Sequence, residues 1–233
     1  MLVDPAVPSS MRATLRDQLP AYALGAVAAD ARVGSGAKRS LTHFYDYMDD
    51  AINQPWREMI RQYPQLLTPH DAMHRAFVAS YVAHLTVDAM WSRWMVRPHF
   101  AHREWAGRRE RFFMLHILLT YMDERDQDQI EQRMVDALCE AAPLGWLDFI
   151  SDETLCDWRN LISMQLAPNA PSKTLLIFSE RIDRSEAEMR ALLDDEQAMW
   201  RRLWQYISPA FLERVEQDAY RLARQQMVNY LWA

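Results

Sequence analysis

Glycine fills only five of the 233 positions, about 2% against a usual share near 7%. Hairpins, sandwiches, dinucleotide-binding units and phosphate loops spend glycine on positive-φ turns and close backbone approaches, and this chain has too few to build them. Helices joined at proline-bearing breaks remain. Such breaks fall at Pro20, from Pro64 to Pro69, at Pro98 and Pro143, from Pro168 to Pro171, and at Pro209. No repeat or low-complexity tract divides the chain further, and half of its residues are hydrophobic, enough for a sizeable core. The expected architecture is all-α: a single helical domain over residues 1–233, built as a multi-helix bundle.

The chain carries a net charge of −6, and its lysines are Lys38 and Lys173 alone. With no basic stripe, nucleic acid is not an expected partner. Cys139 and Cys156 stand far apart with no Cys-x-x-Cys, which excludes a disulfide framework and a thiolate zinc site. The first residues show no positive region followed by an apolar run, and no segment approaches the ~18 apolar residues of a membrane span. A soluble, cytoplasmic chain is the expectation.

Thr68-Pro69-His70-Asp71 reads as a helix start, with threonine at the cap, proline at the first helical position and aspartate closing a capping box. Phe77, Tyr81, His84, Asp88, Trp91 and Met95 then recur in steps of three and four. They define one helix face as far as Pro98, apolar except at His84 and Asp88. Ser185 with Glu188 predicts a further capped helix through about Tyr206, and Ser208-Pro209 predicts the last one. Val33-Gly34-Ser35-Gly36 lets the chain turn back between Asp30 and His43.

Those two polar interruptions carry the chemistry. His84 and Asp88 project from one side of a helix about a turn apart and can share a cation. A packed ion pair between Tyr81 and Trp91 has the same spacing, so other segments must add weight. Upstream, Asp30 closes the apolar stretch Tyr22–Ala29, and His43 lies within Leu41-Thr42-His43-Phe44-Tyr45. Singly, Asp30 also reads as a helix-end acid and His43 as a core histidine bonded to a carbonyl. Jointly, two carboxylates and two neutral imidazoles balance a divalent ion and can be buried around zinc. Without metal, two buried acids would repel.

These segments resemble the zinc-dependent phospholipase C family, to which S1/P1-type nucleases are distantly similar. Gly25-Ala26-Val27-Ala28-Ala29-Asp30 resembles the family segment ending in a ligand aspartate, and Thr42-His43-Phe44-Tyr45 resembles its ligand histidine. Residues 76–91 resemble its long helix with His-x-x-x-Asp, and Arg111-Phe112-Phe113-Met114-Leu115-His116 a later histidine-bearing helix. The resemblance covers roughly residues 20–125 and leaves 126–233 as supporting helices. It implies a helical bundle of the phospholipase C/P1 nuclease type, with Asp30, His43, His84 and Asp88 as ligands of one Zn2+. The family's three-metal cluster also uses a free amino-terminal tryptophan and an early histidine; here the chain starts at Met1 and its first histidine is His43. A third ion is therefore not expected. For a second ion the match is partial: His102 and His116 have the family spacing, but Trp94 stands where the first histidine would fall and Thr120 where the acid would fall. Glu110 or Asp123 would have to substitute, and His99, His102 and His116 also read as plain surface or core histidines.

The implied activity is metal-dependent hydrolysis of a phosphodiester or phosphomonoester, with zinc activating water and Asp30 as general base. Four protein ligands can close a tetrahedral site, and closed sites are structural. One alternative is therefore a non-catalytic helical binding protein stapled by the same metal. A second is an HD-type phosphohydrolase using His43, His70, Asp71 and Asp123, against which Asp71 is already explained as a helix-start residue. The tryptophans Trp56, Trp91, Trp94 and Trp105 read as core rather than as a ligand cage, and Gly107-Arg108-Arg109-Glu110-Arg111 as a solvated face.

Overall fold

The computed structural model describes residues 1–46, 54–127, 129–167 and 174–233. The expected break from Pro168 to Pro171 lies outside them. Among the described residues every regular element is helical. The first are α1 (Ser9–Asp17), α2 (Leu19–Val27), a 3-10 turn (Ala28–Ala31), α3 (Arg32–Ser35), α4 (Arg39–His43) and α5 (Pro55–Gln62). After a 3-10 turn (Pro64–Leu67) come α6 (Ala72–Trp91), a π-helical segment (Ser92–His102), α7 (Arg108–Gln127), α8 (Gln132–Glu140) and α9 (Asp152–Leu166). The chain ends with α10 (Thr174–Ile182), α11 (Glu186–Asp194), α12 (Glu196–Met199), a π-helical turn (Trp200–Trp204) and α13 (Pro209–Trp232). No helix among the described residues is long and apolar enough to cross a membrane.

Two compact units interleave along the chain. The first comprises residues 1–90, 131–164 and 218–233, the second residues 91–130 and 165–217.

The first unit is built round α6. Phe77, Val78, Tyr81, Val82 and Leu85 are fully buried, and alanines at 76, 79 and 83 bury the remaining faces, so this helix is a core helix rather than an amphipathic one. Its small residues let α2 approach closely. A Cβ on Gly25 would stand 2.2 Å from the Phe77 carbonyl oxygen and 3.0 Å from Ser80 Cβ, so only glycine fits there. Aromatic residues of the 141–151 loop cover another side of α6: Trp146 lies 4.9 Å from Phe77 and Phe149 6.1 Å from Tyr81, ring centre to ring centre. The carboxyl-terminal part of α13 is tied in by Tyr230 Oη donating to the Leu66 carbonyl (2.7 Å) and by buried Trp56 donating to Gln226 (3.0 Å).

Two boundary expectations on α6 are corrected. The helix begins at Ala72 with Asp71 as its cap, Asp71 Oδ1 accepting from the His74 amide at 2.8 Å. Thr68 instead follows the 3-10 turn, its hydroxyl on the Gln65 carbonyl. Nor does helical backbone stop at Pro98, because the π-helical segment carries that proline inside it and absorbs the missing amide in its wider turn.

The second unit packs α7 against that segment and against α10 to α12 over a core including Met95, Phe100, Phe113, Ile117 and Leu203. Arg111 belongs to this interior rather than to a solvated face. It is 5% exposed, and its guanidinium donates to the Phe100 carbonyl (2.8 Å), in the last turn of the π-helical segment, and to the Ala106 carbonyl (2.6 Å), in the connection before α7. The Ser185 cap is as expected, accepting from the Glu188 amide at 3.1 Å, but α11 ends at Asp194 because Asp195 recaps the chain for α12. Ser208 caps α13. Trp56 is buried, and Trp91, Trp94 and Trp105 pack against the second core, Trp105 stacking on Tyr206 at 4.6 Å.

Candidate metal centre

Three segments of the first unit meet at one point. After α2 the backbone tightens into the 3-10 turn, where Ala28, Ala29 and Ala31 are fully buried and Asp30 is the residue left facing outward, its side chain 41% exposed. The Val27 carbonyl at this change of winding is satisfied by Trp158 Nε1 at 2.8 Å. His43 ends α4. Phe44 takes the left-handed conformation (φ 61°), a costly one for a residue with a Cβ. Its buried ring lies 5.1 Å from Phe149, and that packing holds the stop in place immediately after the histidine. His84 lies on α6.

Asp30, His43 and His84 each offer one ligand atom, and these three atoms lie within 4.8 Å of one another. His43 Nε2 is 3.5 Å from Asp30 Oδ1 and 3.5 Å from His84 Nε2; His84 Nε2 is 3.8 Å from Asp30 Oδ2. Ligands of a tetrahedral zinc at ~2.0–2.2 Å stand about 3.3–3.6 Å apart, so the spacing fits a single ion. The tautomer of His84 fits as well. Its Nδ1 lies 2.8 Å from the Ala26 carbonyl. A carbonyl can only accept, so Nδ1 carries the proton and Nε2 turns a lone pair toward the other two groups. Gly25 makes this contact available, because it is the residue that brings the end of α2 down onto α6. His43 is fully buried, and its pKa is held well below the usual histidine range, first by that burial and then by the neighbouring Arg39, His84 and Arg32. It is therefore the neutral imidazole that a metal requires.

Asp88, the fourth expected ligand, stands outside this group of three. Its carboxylate accepts from the Arg39 guanidinium and from the Tyr45 hydroxyl. Arg39 also donates to Tyr45 Oη at 3.0 Å and lies 5.2 Å from the centre of that ring. Helical spacing could have pointed to Arg39, four residues before His43, but nothing in the sequence pairs it with Asp88.

No second group of three ligands occurs among the described residues. His102 is exposed at the end of the π-helical segment, and His116 Nδ1 bonds the Phe112 carbonyl at 2.7 Å. Glu110 accepts from Arg202 (2.7 Å) and Asp123 from Thr174 (2.9 Å). Of the His-Asp doublet, Asp71 serves as the α6 cap, and the His70 ring lies beside that of His74, 5.1 Å between centres. Comparison with known proteins returned no matching family model, no matching curated protein and no matching solved structure.

Proposed function

We propose that the chain is a zinc-dependent hydrolase of phosphate esters, similar to the zinc-dependent phospholipase C family in activity and in helical architecture. The observation that carries this reading is the convergence of Asp30, His43 and His84 with metal-ligand spacing on a side open to solvent through Asp30. Three protein ligands leave a coordination position for water or substrate, the arrangement of catalytic rather than structural zinc sites. Zinc held there would acidify water and polarise a phosphoryl oxygen. His84 and His43 would hold the ion through their Nε2 atoms. Asp30 offsets part of its charge and, being the exposed member, is the group placed to take a proton from attacking water.

A second reading, a structural metal staple without turnover, draws on the same geometry, because the three ligands come from three separate segments. Elemental analysis of the purified chain, followed by hydrolysis assays on aryl phosphodiester and phosphomonoester substrates, separates the two. About one zinc per chain is expected, with turnover abolished by a chelator and by His84→Ala. Zinc without turnover in the wild type leaves the staple, and a chain that binds no zinc removes both readings.

A further inference from the structure

Resting on the metal reading above, one requirement concerns His43 alone. Its Nε2 faces Asp30 and His84, so it can act as a ligand only when the ring proton resides on Nδ1. That proton needs an acceptor in a place water does not reach, since His43 is 0% and Thr42 1% exposed. Thr42 Oγ1 lies 3.0 Å from His43 Nδ1. A hydroxyl has one hydrogen and two lone pairs, and the hydrogen of Thr42 has its own acceptor, the Arg39 carbonyl at 3.4 Å. The oxygen is thereby left to accept from Nδ1–H, beside the Arg39 carbonyl, which also bonds the His43 ring. The residue itself is fixed in place by fully buried Tyr81, whose hydroxyl donates to the Thr42 carbonyl at 2.8 Å.

We infer that Thr42 is a positioning residue for the metal centre: its hydroxyl selects the Nδ1–H tautomer of His43 and so presents the Nε2 lone pair. No bond is made or broken; the residue acts through His43 and touches neither metal nor substrate. The side chains of threonine and valine are nearly the same size, so Thr42→Val removes the acceptor while keeping the packing. Thr42→Ser keeps the acceptor.

The test is zinc titration of the full chain in competition with a chromophoric chelator, together with nitrogen-15 chemical shifts of the His43 ring in the metal-free protein. Thr42→Val is expected to weaken zinc binding about 10–100-fold, while Thr42→Ser stays within about threefold of the wild type. The wild-type ring is expected to be protonated at Nδ1, with the proton moved to Nε2 in Thr42→Val. Zinc affinity of Thr42→Val within about threefold of the wild type overturns the proposal. So does an equal loss in Thr42→Ser, which would mean packing and not the hydroxyl. If Thr42→Val does not fold, the wild-type ring decides, an Nε2–H tautomer refuting the assignment. If the wild type binds no zinc, the metal reading fails and the positioning role with it, while the tautomer comparison separately decides whether the Thr42 hydroxyl sets the His43 ring.

Discussion

Asp88 and Asp4 show how far one carboxylate's role depends on the cation placed beside it. Asp88, one turn from His84, has the spacing of a metal ligand, yet Arg39 and Tyr45 take up its charge. Asp4 has no motif at all and holds the amino terminus onto α13. It accepts from Arg224 (2.8 Å), the Ala6 amide (2.8 Å) and Tyr220 (3.0 Å), and these bonds, Arg224 foremost, lower its pKa to about 2. Because the folded value lies below the unfolded one, the unfolded chain takes up the proton more readily. The contribution of Asp4 is thus complete above about pH 5 and is lost as pH falls toward 2. Asp4→Asn should lower stability by about 1–2 kcal/mol at neutral pH, a Tm decrease of roughly 2–6 °C, and the gap to the wild type should close progressively below about pH 4. Thermal unfolding of both proteins across that range checks it; a gap independent of pH would show that the carboxylate charge is not what holds the terminus.

Helix boundaries follow side-chain caps more closely than they follow apolar periodicity. Asp71, not Thr68, starts α6, because the cap is whichever short polar side chain reaches the free amides, and that choice depends on how the preceding 3-10 turn delivers the chain. The apolar spacing from Phe77 to Met95 was legible as helix. The change to π winding at Ser92 was not, since so short a stretch of i→i+5 turns leaves too few positions to stand apart from the α period. Where α2 meets α6 a single residue sets the distance. Gly25→Ala would press a methyl group onto the Phe77 carbonyl, and relief requires α2 to move away, carrying the Ala26 carbonyl off His84. A loss of about 1–3 kcal/mol is expected in denaturant unfolding, along with weaker zinc binding in the same variant. An unchanged zinc affinity would show that the His84 orientation does not depend on this helix contact.

On the proposed reading, an ion joining the 3-10 turn, α4 and α6 would stabilise the unit that contains all three. At hundredfold to thousandfold excess over Kd, zinc should add about 3–4 kcal/mol to its stability. Chelation should therefore lower the Tm, and hydrogen exchange should locate the effect, amides of α4 and α6 losing protection while those of α7 and α11 keep theirs. Uniform loss across both units would contradict a site confined to the first. The all-helical class was readable from the amino-acid sequence because scarce glycine and steps of three and four are local properties, expressed within one or two turns. The same holds for Asp30, His43 and His84 as candidates, each a polar residue interrupting an apolar stretch. Which candidates meet is a matter of packing. Asp88 lies 49 positions from Arg39, and His84 lies 58 from the Ala26 carbonyl that sets its tautomer. Side-chain pairings over such separations arise only when helices seat against one another, where a missing Cβ at Gly25 decides how closely α2 meets α6.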